Sequence, residues 1–140
     1  MSTERAILQF LGYRVDELLF AAKKELSGTT EQIVLEPSFS RTIKQAGSEE
    51  YDVTIGVKLE QNDLPFEARL SLTGRFKCED VSDVPKMLKV NAVAILYPYV
   101  RATLSMLTTI AAVPPVIVPT INLAKMFEQE EQSKLLEAKD

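Results

Sequence analysis

A chain of 140 residues that is 46% hydrophobic and 26% charged fits one compact domain over residues 1–140, long enough to bury a core without a disulfide or a structural metal. Its net charge of −4 comes with lysines and arginines scattered singly or in pairs, which argues against a phosphate-tracking face and against nucleic acid as a partner. With one cysteine, Cys78, and no histidine, an internal disulfide is excluded, a zinc site lacks ligands, and the commonest general base is missing.

The start, with Glu4 and Arg5 ahead of a short apolar run, does not read as a signal peptide, and the free Cys78 suits a reducing compartment, so a cytoplasmic location is expected. The segment Leu8 to Phe20 is ambiguous. Ile7, Phe10, Leu11 and Leu18 have helical spacing, whereas Tyr13, Val15 and Leu19 alternate as in a strand. Ile33, Leu35, Phe39 and Ile43 lie at even spacing with Pro37 among them, which predicts an edge strand or a bulge. Ala46, Gly47 and Ser48 then turn the chain. Strict alternation predicts strands at Tyr51 to Leu59 and Phe66 to Phe76, joined as a hairpin by Gln61-Asn62-Asp63-Leu64-Pro65.

After the strands the period changes. Ser82-Asp83-Val84-Pro85 has the oxygen cap and first-turn proline of a helix start. The helix, predicted to run to about Ile110, carries Leu88, Ala92, Ile95, Tyr99 and Met106 on one stripe, and Leu96, Val100, Leu104, Leu107 and Ala111 on another. Two apolar stripes need two partners, the sheet and a second chain. Pro98 lies inside it and should kink it. The weakly charged stretch Val90 to Leu123 is long enough to span a bilayer, but Arg101 near its centre would cost about 3 kcal/mol. Pro98, Pro114, Pro115 and Pro119 also break it, so no membrane insertion is expected. Val113 to Thr120 is predicted to be extended, and Asn122 to cap a last helix in which Leu123, Met126 and Phe127 pack and Glu128 to Gln132 are solvated. Strands followed by helices predict an α+β fold: a four-stranded antiparallel sheet, then a long helix and a short C-terminal helix.

Motifs for chemistry are missing. The five glycines form no phosphate loop, and the paired acids Glu49/Glu50, Glu79/Asp80 and Glu130/Glu131 fall at turns or on a polar helix end, as solvated charges do, whereas catalytic carboxylates need burial. Neither an enzyme nor a cofactor is expected. What remains is apolar: Phe20, Phe39, Phe66, Phe76, Tyr97 and Tyr99, with the strip Pro114, Pro115 and Val116, could build a hydrophobic groove. The plainer reading is that most of them belong to a core or an interface.

The segment Ala92 to Phe127, AVAILYPYVRATLSMLTTIAAVPPVIVPTINLAKMF, resembles the most recognisable stretch of the SecB family of chaperones. The matching features are Leu96, Tyr97, Pro98, Tyr99 and Arg101, then Pro114, Pro115 and Pro119, then Ile121 and Asn122. Elsewhere the match is looser, with Tyr13 to Phe20 as first strand, Ile33 to Ile43 as second, and a hairpin ending in Gly74-Arg75-Phe76; the resemblance makes the ambiguous segment Leu8 to Phe20 a strand. The resemblance implies a sheet with two helices, assembled as a homotetramer (a dimer of dimers) through the long helix. It also implies an ATP-independent holdase whose grooves bind unfolded polypeptides, preproteins for Sec-dependent export among them.

Family members contact the translocase motor SecA through acidic residues on the sheet. Asp16 matches one such position, but Arg69 stands where another acid is expected, and the tail from Ser133 to Asp140 has no evident match to the family's motor-binding C-terminus. Holding of substrates is therefore the firmer expectation. The alternatives are a dedicated chaperone of an antitoxin, as some relatives are, and an oligomeric module that binds a small apolar ligand.

Overall fold

The computed structural model describes residues 8–23, 36–62, 64–79, 87–110, 125–127 and 129–130. The chain forms strands β1 (Leu8–Ala22), β2 (Ser38–Gln45), β3 (Glu50–Leu59) and β4 (Phe66–Cys78), followed by helix α1 (Ala92–Ile110). A π-helical turn, Met87–Asn91, leads into α1. A short C-terminal helix is described at residues 125–127 and 129–130. All strand pairs are antiparallel, in the order β1-β4-β3-β2.

The hairpin forms where alternation predicts it. One face of β3 buries Val53, Ile55, Val57 and Leu59, and the same face of β4 buries Phe66, Ala68, Leu70, Leu72 and Phe76. The Leu64 N–H donates to the Gln61 carbonyl at 3.2 Å and closes the connecting turn. Before β3, the N–H groups of Ala46 and Gly47 both donate to the Glu50 carbonyl. Pro37 immediately precedes β2, which occupies one edge of the sheet, where a missing N–H removes no ladder bond.

The first segment, a strand over Leu8 to Phe20 by the family resemblance, is β1 and runs two residues further, to Ala22. Its register slips between Phe10 and Gly12 and again between Val15 and Glu17. Each bulge adds one residue and so reverses which side chains face the helix. Leu8, Phe10, Tyr13, Val15, Leu18 and Phe20 therefore share the face of their partners Cys78, Phe76, Gly74, Leu72, Leu70 and Ala68. Steps of two broken by steps of three imitate a helix, which is why periodicity alone left the segment open. At the first bulge Gly12 has φ of 131°, a conformation that residues with a Cβ rarely adopt.

Helix α1 lies on this face. Leu88, Ala92, Val93, Leu96, Val100 and Leu104 are buried against the sheet, a stripe that takes Leu88 and Ala92 from one predicted row and the remainder chiefly from the other. The first row continues outward through half-buried Ile95 to exposed Tyr99 and Met106. Met87–Leu107 has the length and mean hydropathy (1.2) of a membrane-crossing helix, with 39% of it buried inside the fold. Pro98 lies within α1. Phe127 is buried, whereas Met126 is 37% exposed. Arg41 of β2 joins three elements: its Nη1 donates to the Lys89 carbonyl at 2.7 Å, and its guanidinium lies 4.5 Å from the centre of the Phe127 ring. The predicted helix start at Ser82 to Pro85, the extended strip Val113 to Thr120, and Asn122 and Leu123 lie outside the described residues.

Candidate functional site

The two faces of the sheet differ in chemistry. Away from the helix, β1 to β4 present Arg14, Glu17, Thr73, Arg75, Asp52, Thr54, Lys44 and their polar neighbours. Toward the helix they present mainly apolar side chains, with Arg41 of β2 among them, and this layer is incompletely covered along β1.

Along that uncovered margin an aromatic series runs from core to surface. The buried Phe76 ring lies 5.3 Å from Phe10, Phe10 lies 5.8 Å from Tyr99 of α1, and Tyr99 lies 4.5 Å from Tyr13, measured between ring centres. These are offset or tilted contacts that favour aromatic pairs. Tyr13 and Tyr99 remain 46% and 37% exposed, and the row continues down β1 through Val15 and Leu18, at 41% and 45%. Four large side chains, Tyr13, Val15 and Leu18 on the helix face of β1 and Tyr99 of α1, thus form one partly exposed apolar strip. Sequence reading assigned only Tyr99 to a site; the others sat in the ambiguous segment, and the two bulges obscured their common face.

The remaining predicted groove residues divide by depth. Phe66, Phe76 and Tyr97 are at most 8% exposed and belong to the core of this chain. Phe20 is half-buried and stacks on Phe66 at 5.2 Å; Phe39, also half-buried, meets the edge of Tyr97 at 6.2 Å. Phe20 and Phe39 stand on opposite edge strands. Pro114, Pro115 and Val116 lie outside the described residues.

On the polar face Asp16 is the extra residue of the second bulge. Its Oδ1 accepts from Arg14 Nε at 2.6 Å, and its Oδ2 accepts from the Thr73 hydroxyl, which is also 2.7 Å from the Thr54 hydroxyl. Both carboxylate oxygens are engaged within the chain. Arg69 Nε lies 3.5 Å from Glu17 Oε1. Arg75 grips Asp52 with two bonds, of 2.9 and 3.1 Å. That hydrogen bond holds the Asp52 carboxyl below its ordinary pKa against the opposing effect of partial burial, and raises Arg75 in return. Between β2 and β4, Ser40, Gly56 and Ser71 floor a shallow hollow of about 350 Å³ rimmed by Glu17, Lys58 and Arg69.

Among the described residues no three His, Cys, Asp or Glu side chains gather where a metal could be held. Cys78 is buried, and desolvation raises its thiol pKa, the opposite of an activated nucleophile.

A four-stranded antiparallel sheet followed by a long helix and a short C-terminal helix is a SecB-like fold. The SecB-like chaperone of Mycobacterium tuberculosis, solved with a peptide from an antitoxin, superposes with a TM-score of 0.67 at 17% identity, over 83% of this chain and 92% of that one. The family model described as preprotein translocase subunit SecB matches residues 19–134, and the chain belongs to the SecB family.

An uncharacterised protein of Methanocaldococcus jannaschii is 31% identical over 138 residues, covering 93% of this chain and 88% of that protein. The protein-export protein SecB of Neisseria meningitidis is 31% identical over 84 residues, covering 59% of this chain and 57% of that relative.

Proposed function

We propose that this protein is an ATP-independent holdase that binds unfolded polypeptide segments on the apolar strip formed by Tyr13, Val15, Leu18 and Tyr99, with Phe20 and Phe39 at the far end of the same face. The observation that carries this reading is the exposure of that strip in a chain of the SecB family. Covering its half-exposed side chains gives about 1 kcal/mol each, since full burial of a large apolar side chain gives about 1.5–3 kcal/mol. Four such contacts correspond to a dissociation constant of roughly a millimolar. One strip alone is therefore too weak to hold a client. A homotetramer in the cytoplasm, joined through the exposed row of α1 that includes Met106 and Ile110, would present several strips to one long chain and raise the effective affinity by avidity.

The clients need not be preproteins bound for export. Delivery to SecA, as the family resemblance implies it, draws on acids of the polar face, and here Asp16 is spanned by Arg14 and Thr73 while Arg69 sits against Glu17. This favours holding, including the dedicated holding of an antitoxin, over delivery. The M. tuberculosis chaperone in complex with an antitoxin peptide is consistent with that choice.

The test is aggregation of an unrelated protein diluted from denaturant, with the purified chain present and nucleotide absent. Suppression near stoichiometry supports holding. Failure there, together with protection of one antitoxin, would narrow the function to a dedicated client.

A further inference from the structure

Cross-strand pairs build the polar face of the sheet, and one of its charged pairs is mismatched. Between β3 and β4, Glu50 stands opposite Lys77, Asp52 opposite Arg75 and Thr54 opposite Thr73. Arg75 holds Asp52 with two bonds, and the two threonine hydroxyls lie 2.7 Å apart. Gly56 and Ser71 come next, and then Lys58 stands opposite Arg69. Like charges set directly opposite each other destabilise a sheet. No acid in the same row offsets them, since Ser38 of β2 lies opposite Lys58 and Leu19 of β1 opposite Arg69.

Among the described residues Lys58 forms no ion pair, and Glu60 and Glu67, two residues along each strand, pair with neither cation. Arg69 reaches Glu17 in the adjoining row at 3.5 Å, with the two side chains 43% and 52% exposed, a loose pair of little energetic weight. That adjoining row is the floor of the hollow of about 350 Å³, which Ser38, Ser40 and Ser71 line together with Lys58, Arg69 and Glu17. A Cβ on Gly56 would come within 2.5 Å of Ser40 Oγ, so a side chain at position 56 would displace that hydroxyl and fill the floor. Two cations and three hydroxyls thus border one recess, and the single carboxylate there is only loosely engaged.

We propose that this recess docks an acidic segment of a partner polypeptide, one of whose carboxylates bridges Lys58 and Arg69 while the serine hydroxyls donate to its neighbours. Glu17 already shows the kind of group that Arg69 takes, and the incoming carboxylate replaces it. Bridging removes the repulsion between the two cations, so the partner is recognised by charge complementarity rather than by apolar burial. The surface lies on the face opposite the apolar strip and is independent of it.

The probe is a dye-labelled peptide of alternating glutamate and serine, titrated by anisotropy, with a lysine–serine peptide as its charge-reversed control. The wild type should bind the acidic peptide at low salt, lose it as salt rises, and ignore the basic one. Lys58→Glu should weaken binding about 3–10-fold and Glu17→Gln should tighten it about 2–5-fold, the scale of exposed ion pairs. Both residues are exposed, and urea denaturation checks that both variants fold. Opposite signs at two neighbouring positions are what a merely structural role would not produce. Affinity for fluorescein-labelled casein, which is unfolded without denaturant, reads the apolar strip instead: Tyr13→Ser/Leu18→Ser should lower it and leave the acidic peptide bound as before. No binding of the acidic peptide by the wild type, equal binding of the basic one, changes of the same sign in the two charge variants, or loss of the acidic peptide in the strip variant would each overturn the proposal.

Discussion

Leu96 of α1 sits over Gly74 of β4, in the space that a side chain at position 74 would occupy. A Cβ on Gly74 would lie 3.1 Å from Leu96 Cδ1 and 3.0 Å from Phe76 Cε2, with Leu96 Cδ2 closer still. The glycine therefore sets how closely the helix approaches the sheet. Tyr13 is the cross-strand partner of Gly74, and its ring leans on Tyr99, three residues along the helix from Leu96. Gly74→Ala is expected to destabilise the chain by about 1–3 kcal/mol, as overpacking does, and to loosen the Tyr13–Tyr99 contact. Urea denaturation measures the first and near-ultraviolet circular dichroism the second; wild-type stability in the variant would refute the close approach.

Asp16 ties the second bulge of β1 to the polar face of β4. Asp16→Ala leaves Arg14 without its carboxylate and the buried Thr73 hydroxyl with Thr54 as its remaining side-chain partner. The Asp16 side chain is 30% exposed, which places the loss at about 1 kcal/mol, the lower end for charge-assisted bonds after allowance for solvent. Stability should fall by that amount while casein affinity stays at the wild-type level, because the carboxylate lies on the face opposite the apolar strip. A loss of client binding without a loss of stability would mean that Asp16 contacts the client.

Asp52 gives the chain a defined acid response. Its carboxyl titrates below its ordinary value of 3.8 when folded, because Arg75 donates to the charged form. A depressed folded pKa contributes stability that is fully present above the unfolded value and is lost as pH falls through the folded one. The contribution should thus be intact at neutral pH and disappear below about pH 4. Denaturation midpoints measured across that range should fall less steeply in Asp52→Asn than in the wild type. Parallel curves would show that the pair does not drive the acid response.

Legibility in the sequence followed how regularly each element repeats. Tyr51 to Leu59 alternates without interruption, and so does Phe66 to Leu72; with the turn residues between them they could be assigned as a hairpin on pattern alone. β1 could not be assigned this way, because an inserted residue at each of two bulges shifts the register that alternation depends on. The site shared that fate: Tyr99 stood out as an aromatic on a helical stripe, while its partners Tyr13, Val15 and Leu18 were hidden in the same bulged strand. Phe66 and Phe76 illustrate the converse, since an aromatic in an alternating strand has the same pattern whether the layer above it is closed or open. The difference is set by where α1 lies, and a local pattern does not contain that. For β2, Pro37 left an edge position or a bulge open; the strand lies at an edge, with Pro37 just before it.

The central claim is that the strip beside β1 holds unfolded chains. Its most direct test is the equilibrium affinity for labelled casein of the wild type and of Tyr13→Ser/Leu18→Ser, with urea denaturation and sedimentation run on both proteins. If casein binding falls at least tenfold, about 1.4 kcal/mol, while stability and assembly are unchanged, the strip is the client surface. If the variant binds casein as the wild type does, or loses affinity only because it no longer assembles, these side chains belong to a subunit contact and the account is wrong.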